Sequence, residues 1–260
     1  MATMGQIAVV TGANGSVGSN LVAELARHGY AVRGLVRAGS DRSQLEGLEC
    51  ELAETDYADA TKLSGLCRGA SCVYHLAAKV TDSGNEADFT RDNVELTQVV
   101  AEAARAAGVP RFVFASSAVL YGCSSRRNLA ECDAAEELQF PYSRSKRAAE
   151  QYLLGLKGIE VVIVRAGDVY GPRDRVVTAP LLDALRRGWF PCVGSGRTTM
   201  CYTYVENLTQ GLRLAGEKGR PGEIYNIADG SELSLVEIIR AMAEAAGRRV
   251  RLLHVPYFIG

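Results

Sequence analysis

A glycine-rich turn lies between the first apolar run of the chain and its first helical pattern. The apolar run covers Ile7 to Val10, the turn covers Thr11 to Gly18, and the helical pattern continues from Val17 to His28. A second apolar run, Ala31 to Val36, completes a strand–helix–strand pattern. Glycine lets the backbone turn tightly beside a phosphate, and the free N–H groups of a helix N-terminus attract an anion. A turn without a ligand is the alternative. We predict that the turn binds a dinucleotide cofactor through Gly12, Asn14, Gly15, Ser16, Val17 and Gly18.

The alternation of short apolar runs and amphipathic helices continues through the chain. Apolar runs follow at Cys72 to Leu76, Arg111 to Ala115 and Ile159 to Val164, and helical patterns at Asp92 to Ala107 and Tyr142 to Leu156. Nearly continuous apolar strands of this kind are typical of a parallel sheet covered by helices on both faces. The prediction is an α/β, doubly wound parallel sheet, a Rossmann fold, with a small C-terminal substrate lobe.

The pattern changes after Gly171-Pro172, where turns, short helices and isolated strand signals replace the regular alternation. Residues 1–172 are therefore predicted to form the NAD(P)-binding domain with the catalytic residues, and residues 173–260 a small, mixed α/β substrate-binding lobe. Ser234 and Glu237 form a capping-box pattern at the start of a helix predicted for Ser234 to Ala246. The apolar stretch Val255 to Gly260 ends abruptly, which we interpret as a shortened or truncated lobe.

Composition indicates an ordinary globular protein that acts on a small molecule. Apolar residues make up 47% and charged residues 23% of the chain, and 29 basic against 30 acidic residues give a net charge of -1. This balance does not favour a nucleic acid or an acidic membrane as partner. No apolar run is long enough to span a bilayer, and no signal peptide is evident. The seven cysteines lack metal-ligand spacing, so we expect packed free thiols, no metal site and a cytoplasmic location.

The end of the second predicted strand bears on the choice of cofactor. An acidic residue here would accept a hydrogen bond from the ribose 2′-hydroxyl of NAD(H), but the chain has Arg37. Arginine can pair with a 2′-phosphate, and Arg42 lies close enough in sequence to assist. The sequence therefore favours NADP(H) over NAD(H), with a solvated arginine and bound NAD(H) as the alternative.

Tyr142 and Lys146 place a phenol and an ammonium four residues apart on one face of a predicted helix. An ammonium close to a tyrosine lowers the pKa of the phenol, which brings proton exchange with a substrate hydroxyl closer to neutral pH. Ser116 and Ser117 follow an apolar strand directly, and ligand sites in open α/β sheets lie beyond the carboxyl ends of strands. We predict Ser117, Tyr142 and Lys146 as the catalytic residues, with Ser117 also contacting the substrate.

These motifs, in this order, resemble the extended branch of the short-chain dehydrogenase/reductase superfamily, the NAD(P)-dependent epimerase/dehydratase-like family. The resemblance implies that Asp56 and Tyr57 line the adenine pocket, that Ala77 and Ala78 lie along the cofactor, and that Lys146 binds the nicotinamide ribose. It also implies Tyr142 as the acid/base and Ser117 as the catalytic hydroxyl. The matching segments are Thr11 to Gly18, Glu54 to Tyr57, His75 to Ala78, Asn93-Val94, Ser116 to Gly122, Pro141 to Lys146 and Arg165 to Pro172.

Two further cofactor-site residues are Ser116, at the strand end, and Asn93, which the resemblance makes a structural asparagine near the active-site lysine. A simple helix cap is the alternative for Asn93. His75 is predicted to be a strand-end packing residue.

Departures from the family pattern bear on the reaction. Ala118 and Val119 stand where family dehydratases have an acidic pair, so sugar 4,6-dehydration is set aside. Met200 stands at a family arginine position, although Arg197 could compensate, and Asp168 replaces an asparagine near the substrate diphosphate. We therefore predict Asp168 and Arg197, with Ser117, as substrate-binding residues.

The predicted enzyme transfers a hydride at a secondary alcohol or ketone. The favoured prediction is a sugar or nucleotide-sugar epimerase or ketoreductase. The alternatives are an NADPH-dependent reductase of a non-nucleotide carbonyl, similar to dihydroflavonol reductases or hydroxysteroid dehydrogenases, and a weakly active cofactor-binding regulatory protein. The resemblance also implies a homodimer built from the helices Asp92 to Ala107 and Tyr142 to Leu156.

Overall fold

The structure is a computed structural model, and it describes residues 5–81, 84–122, 126–133, 137–175 and 178–256. The strands are β1 Ile7–Thr11, β2 Ala31–Val36, β3 Glu51–Glu54, β4 Ala70–His75, β5 Arg111–Ser117, β6 Glu160–Ala166, β7 Asp168–Tyr170, β8 Trp189–Val193, β9 Tyr202–Tyr204, β10 Ile224–Ile227 and β11 Arg251–Val255. The α-helices are α1 Ser16–Arg27, α2 Ala60–Cys67, α3 Glu86–Phe89, α4 Leu96–Ala106, α5 Pro141–Gly155, α6 Thr178–Arg187, α7 Val205–Lys218 and α8 Leu235–Ala245.

Seven strands form one parallel sheet in the order β10-β6-β5-β4-β1-β2-β3. The order reverses at β1, which pairs with both β2 and β4. Ligands bind at such a switch point, beyond the carboxyl ends of the strands. The predicted doubly wound α/β fold is confirmed, and the site residues at the ends of β1, β4 and β5 therefore lie along one edge of the sheet.

Two apolar layers cover the faces of this sheet. On one face α1 and α7 contribute Leu21 and Leu212, and on the other α4 and α5 contribute Val100 and Leu153. All four side chains are completely buried. Burying such a side chain stabilises a fold by about 1.5–3 kcal/mol before the cost in chain entropy. The layers thus hold α1 and α5, which carry the predicted phosphate and catalytic residues, against the sheet.

The C-terminal part of the chain contributes to two packing units. A separate apolar cluster includes Leu185 of α6, Tyr202 of β9 and Ile239 of α8, and two small parallel sheets, β7-β9 and β8-β11, accompany it. Strand β10 and helix α7, however, belong to the large sheet and its cover. Residue 172 is therefore not a clean boundary between packing units, and the assignment of 173–260 to substrate binding stays a prediction.

Several local predictions can be compared with the structure directly. The capping box of Ser234 and Glu237 is present. The helical run predicted to start at Asp92 begins at Glu86 and includes a π-helical segment, Thr90–Glu95, before α4. Asn85 caps this run, because its side chain accepts a hydrogen bond from the N–H of Asp88 over 2.8 Å.

Other predictions concern the cysteines, the membrane and the chain end. Cys132 and Cys201 are exposed, so the prediction that the thiols are packed is wrong for these two, and Cys123 lies outside the described residues. Within the described ranges, no helix has the length and apolar character needed to cross a bilayer. The predicted apolar end falls outside the described residues from position 257 onward.

Candidate active site

The glycine-rich turn is shaped by contacts that a side chain would block. Gly12 has a φ of 66°, and a Cβ added there would lie 2.9 Å from the backbone of Ala77. A Cβ on Gly18 would lie 2.1 Å from the carbonyl oxygen of Gly12. The turn is thus pressed against both helix α1 and the chain that follows β4. Each glycine is required by the close approach of another backbone segment.

The N-terminus of α1 is open to an anion. Its N-cap residue, Gly15, has no side chain to cap the helix, and the first turn has no acidic residue. The Oγ of Ser16 is buried and has no hydrogen-bond partner among the described residues. Unpaired N–H groups, the helix dipole and an unpaired hydroxyl are the features that hold a phosphate. Asn14 is turned elsewhere, since its side-chain amide donates to the carbonyl oxygen of Asp41 over 3.0 Å.

Arg37 lies at the end of β2 and is well exposed, with 57% of its side-chain surface accessible. Its guanidinium is 3.8 Å from the carboxylate of Asp92, a loose contact that leaves it free to bind another anion. Arg42 forms an ion pair with Glu54 on the neighbouring strand β3. Two arginines therefore follow β2 in the chain, and both are near carboxylates.

Asp56 and Tyr57 occupy different environments although they are adjacent. Asp56 is exposed, and its carboxylate accepts a hydrogen bond from the N–H of Ala58 over 3.0 Å. Tyr57 is buried with a φ of 64°, and its Oη lies 3.4 Å from the N of Gly12. Burial raises the pKa of Tyr57 to about 12. Tyr57 therefore supports the glycine-rich turn, and only Asp56 is accessible.

The end of β4 is tied to β1 through the hydroxyl of Thr11. The backbone N–H groups of Leu76 and Ala77 both donate to Thr11 Oγ1 over 3.2 Å. His75 is completely buried, with its ring nitrogens 2.8 Å from Thr11 Oγ1 and 3.0 Å from Thr97 Oγ1. Burial lowers the pKa of His75 to about 3, so the ring is neutral. His75 is a packing residue, and Ala77 and Ala78, both half-buried, follow it beside the turn.

The side chains of Ser117, Tyr142 and Lys146 come together at the carboxyl end of β5. The phenol of Tyr142 is hydrogen-bonded to the side chain of Ser117. Lys146 is buried, its Nζ donates to the carbonyl oxygen of Ala115 over 2.8 Å, and it lies 6.0 Å from the ring centroid of Tyr142. Ser116 precedes Ser117 on β5, and its Oγ is buried without a hydrogen-bond partner among the described residues.

The electrostatics of this group differ from the expectation. Burial raises the pKa of Tyr142 to about 12, although the hydrogen bond from Ser117 works in the opposite direction. Burial also lowers the pKa of Lys146 to about 8, against the attraction of Glu150. The predicted lowering of the tyrosine pKa by the ammonium is therefore wrong for this arrangement. The reason is that desolvation dominates while the ammonium is held by a backbone carbonyl.

Asn93 is not a helix cap. It lies inside the π-helical segment and is almost completely buried. Its Oδ1 accepts from the N–H of Lys79 over 2.7 Å, and its Nδ2 donates to the carbonyl oxygen of Lys79 over 3.1 Å and to Ser145 Oγ over 2.9 Å. Asn93 thus joins the chain after β4 to helix α5, next to Lys146.

The predicted substrate residues are divided between two places. Asp168 begins β7, two residues after Ala166, which is the register partner of Ser117. Its side chain is exposed, yet desolvation by surrounding protein raises the pKa of its carboxyl group. Cys201, opposite β7, accepts a hydrogen bond from the N–H of Asp168 through its carbonyl oxygen over 2.6 Å.

Arg197 and Met200 lie further along the chain. Arg197 lines a groove of about 600 Å³ with Arg240 and His254. Among the residues that the structure describes, the lining of this groove does not include Ser117, Tyr142 or Lys146. Met200 packs against the C-terminal apolar cluster. Asp168 therefore follows the strand that pairs with the end of β5, whereas Arg197 lines a separate groove. The substrate role of both residues stays a prediction.

Sequence reasoning missed a buried ion pair beside the site. Glu150 of α5 binds Arg165 of β6 through two hydrogen bonds, of 2.9 and 2.6 Å. Two sequence features could have indicated this pair. Glu150 follows Lys146 by four residues, and Arg165 begins one of the segments that carry the family resemblance. A group of three or more His, Cys, Asp or Glu side chains placed to hold a metal ion is not found among the described residues.

Comparison with known proteins identifies the family of the chain. The model of the NAD dependent epimerase/dehydratase family matches residues 8–228. A ketoreductase of Stigmatella aurantiaca, specific by its name for 4-hydroxy-2-methyl-3-oxo-4-farnesyl-3,4-dihydroquinoline-1-oxide, is 30% identical over 256 residues, covering 95% of this chain and 75% of the relative. A 3 beta-hydroxysteroid dehydrogenase/Delta 5-->4-isomerase of Mycobacterium tuberculosis is 29% identical over 266 residues, covering 93% of this chain and 70% of the relative.

The fold is also similar to solved structures. The dTDP-glucose 4,6-dehydratase DesIV from Streptomyces venezuelae, solved with NAD and TYD bound, has a TM-score of 0.86 and 25% identity, and the match covers 96% of this chain and 84% of that one. A family match over most of the chain, together with a relative at 30% identity, establishes the family. The chain belongs to the NAD-dependent epimerase/dehydratase family, in the extended branch of the short-chain dehydrogenase/reductase superfamily, and it is an enzyme of the NAD(P)-dependent hydride-transfer type.

Proposed function

We propose that the chain is an NADP(H)-preferring ketoreductase that interconverts a ketone and a secondary alcohol on a substrate without a nucleotide group. The observation that carries the proposal is the Tyr142–Ser117 hydrogen bond beside the buried Lys146, at the strand ends next to the glycine-rich turn. A bound nicotinamide cofactor supplies or accepts the hydride in this chemistry.

The residues present fit such a cofactor. The turn offers a cradle that a Cβ on Gly12 or Gly18 would fill, and the unpaired Ser16 Oγ points to a missing polar partner. We infer that Gly12, Gly15, Ser16, Val17 and Gly18 hold the pyrophosphate, with Asn14 beside them. Asp56 borders the adenine, with Tyr57 beneath the turn as its support. Ala77, Ala78 and Ser116 border the path towards the nicotinamide, and the buried Asn93 braces that path from behind through Lys79 and Ser145.

In reduction, Ser117 and Tyr142 would hold the substrate carbonyl oxygen between their hydroxyl groups. When hydride reaches the carbonyl carbon, Tyr142 donates its proton to the oxygen, and the alcohol forms with no net change of charge on the substrate. Lys146 would hold the nicotinamide ribose. Oxidation of the alcohol uses the same groups in reverse.

The preference for NADP(H) over NAD(H) is supported by Arg37 and Arg42. Arg37 has only a 3.8 Å contact with Asp92, so a 2′-phosphate could recruit it at little cost. The ion pair of Arg42 with Glu54 keeps a second guanidinium in the same area. Phosphate is a preferred partner of arginine because the planar guanidinium can donate two parallel hydrogen bonds.

A substrate without a diphosphate is supported by two side chains. Asp168 would place a carboxylate on the substrate side of Ser117, where a diphosphate would be repelled. Met200 is committed to an apolar cluster and cannot neutralise phosphate. The relatives that act on a quinoline N-oxide and on steroids, according to their names, are consistent with this choice. The second candidate is a nucleotide-sugar epimerase, which the solved structure with NAD and TYD bound favours.

The homodimer also belongs to this proposal. Helices α4 and α5 are joined by the hydrogen bond from Tyr152 Oη to Glu102 over 2.8 Å, and the outer face of α5 exposes Leu154. Both helices would pair with their copies in a four-helix bundle. Cytoplasmic location, and substrate binding by residues 173–260 with Asp168 and Arg197 contributing, stay predictions.

The test begins with the nucleotide that the purified protein retains. The protein is denatured, the released nucleotide is identified by mass spectrometry, and NADPH and NADH consumption are then compared on apolar ketones and on UDP- and dTDP-sugars. Stoichiometric NADPH oxidation by a ketone supports the proposal. Isomerisation of a nucleotide sugar without added NADPH would establish the second candidate, and binding without either activity would indicate a regulatory protein.

A further inference from the structure

Helix α5 carries two almost completely buried charges on one face. Lys146 and Glu150 lie four residues apart, and each is only 3% exposed. Side chains at this spacing are neighbours on the helix surface. The proposed function uses Lys146 and gives Glu150 no role, although a buried carboxylate is costly unless it is paired.

Arg165 of β6 pairs with Glu150 from the sheet. The guanidinium donates from Nε to Oε1 over 2.9 Å and from Nη2 to Oε2 over 2.6 Å. Arg165 is the register partner of Ser116 on β5, so the pair lies beside the strand end that carries both serines. Its remaining nitrogen, Nη1, donates to Tyr121 Oη over 2.9 Å and to the carbonyl oxygen of Glu131 over 3.1 Å. The guanidinium is thus held from three sides.

The surroundings of Lys146 include few groups that can balance its charge. On α5 it faces Tyr142 and Glu150, and on β5 it contacts the carbonyl oxygen of Ala115 and lies 4.6 Å from the ring centroid of Phe114. From β4 it is near the buried, neutral His75. On β6, the nearby charge is Arg165, which is paired with Glu150. Of these groups, Glu150 is the anion. Its negative charge raises the pKa of Lys146, whereas burial lowers this pKa by more.

We propose that Glu150 is a positioning residue for Lys146, and that its carboxylate, fixed by Arg165, keeps the lysine protonated and directed at the end of β5. The inference rests on the role proposed for Lys146 at the nicotinamide ribose. Arg165 completes the device because it fixes the position of the carboxylate and shares its charge, which prevents Glu150 from drawing the ammonium away from Ala115. A counter-charge from solvent cannot replace the pair, since the three side chains have little or no contact with water.

The test measures the ionisation of Lys146 directly. The chain has five lysines, so protein labelled with ¹³C at the lysine Cε gives a spectrum with few signals, which come from Lys62, Lys79, Lys146, Lys157 and Lys218. The signal of Lys146 is identified by its absence in a Lys146→Met variant. In the unsubstituted protein this signal should titrate near pH 8.

Three variants decide the outcome. Glu150→Gln removes the carboxylate and leaves the guanidinium bonded to Tyr121 and Glu131, and we expect the titration midpoint of Lys146 to fall by about one pH unit or more. Arg165→Met leaves the carboxylate, so the midpoint should stay at or above its original value. Glu160→Gln is the matched control, because it breaks an arginine–glutamate pair, with Arg111, at the opposite end of the same strand. It should leave the midpoint unchanged.

An unchanged titration midpoint of Lys146 in Glu150→Gln would overturn the proposal. An equal fall of the midpoint in Glu150→Gln and in Arg165→Met would also overturn it, because general loosening of the site would lower the midpoint in both variants. If circular dichroism shows that Glu150→Gln does not fold, the double variant Glu150→Gln/Arg165→Met replaces it, with a fall still expected. The titration requires neither substrate nor nucleotide. Failure to find a ketoreductase activity would therefore leave this result standing, and a failed titration would leave the proposed function untouched.

Discussion

The proposed cofactor side and the proposed substrate side of this site are built in different ways. On the proposed cofactor side, the backbone of Gly12, Gly15 and Gly18 forms the surface, and a Cβ on Gly12 or Gly18 would collide with backbone atoms. On the proposed substrate side, the surface consists of exposed side chains such as Asp168, which begins the short strand β7. A surface made of backbone tolerates little change, whereas a surface made of side chains can be altered without loss of the fold.

Tyr142→Phe should give the largest effect, because it removes the proton donor at the meeting point of the two sides. We expect hydride transfer to fall by about 10²–10⁴-fold or more, while nucleotide affinity stays within about twofold. Stopped-flow absorbance of the reduced nicotinamide and a nucleotide-binding titration measure the two quantities. Tyr152→Phe is the control on the same helix, since its hydroxyl binds Glu102 far from Ser117. Unchanged turnover in Tyr142→Phe would rule out the catalytic assignment.

Gly18→Ala tests whether backbone packing determines the cofactor side. The new Cβ would lie 2.1 Å from the carbonyl oxygen of Gly12, so the turn must shift. We expect nucleotide binding to be lost and the free energy of unfolding to fall by about 1–3 kcal/mol in urea denaturation. Gly65→Ala is the control, because a Cβ on this residue of α2 meets nothing within 4 Å. It should stabilise the protein by about 0.5–1 kcal/mol.

The buried His75 should make the cofactor side sensitive to acid. Its pKa is lowered from 6.5 to about 3, so between these values the unfolded chain binds a proton that the folded chain does not. The contribution of His75 to the free energy of unfolding is therefore fully present above pH 6.5, and it is lost progressively as the pH falls towards 3. From pH 7 to pH 5 this loss amounts to about 2 kcal/mol.

His75→Gln should remove this part of the pH dependence when urea unfolding is compared at the two pH values. His28→Gln, at an exposed position, should retain it. An equal pH dependence in all three proteins would mean that His75 is not the responsible group.

Asp168→Asn should give the smallest effect, as expected for a surface of side chains. The fold and the Tyr142–Ser117 bond should be unaffected, and removal of the carboxylate should tighten binding of nucleotide diphosphates by up to about tenfold. Calorimetric titration with UDP and with an apolar ketone measures the change in preference, and Asp183→Asn, in the exposed pair with Arg187, is the control. Weaker binding of UDP to Asp168→Asn would contradict the proposed repulsion.

Much of the fold and of the cofactor side could be predicted from local pattern. The apolar runs became β1, β2, β4, β5 and β6 because a strand buried on both faces must be apolar along its length, and the capping box at Ser234 formed as its spacing indicated. Tyr142, Lys146 and Ser117 were found because an ordered set of motifs constrains them jointly. Strand β10 was predicted as part of the smaller lobe, but its pairing with β6 depends on contacts across some 60 residues of sequence.

The order of residues alone is enough to specify a dinucleotide fold with a Ser–Tyr–Lys group, because backbone turns, strand burial and helix faces depend on short-range pattern. Three-dimensional packing decided what pattern cannot express. It buried Tyr142 and Lys146 deeply enough for desolvation to dominate the pKa of each, and it turned Tyr57 beneath the glycine-rich turn. It also brought Arg165 to Glu150 and separated Arg197 from the catalytic group. The reason is that charge energies depend on distance and solvent access, and both are set by segments far apart in the chain.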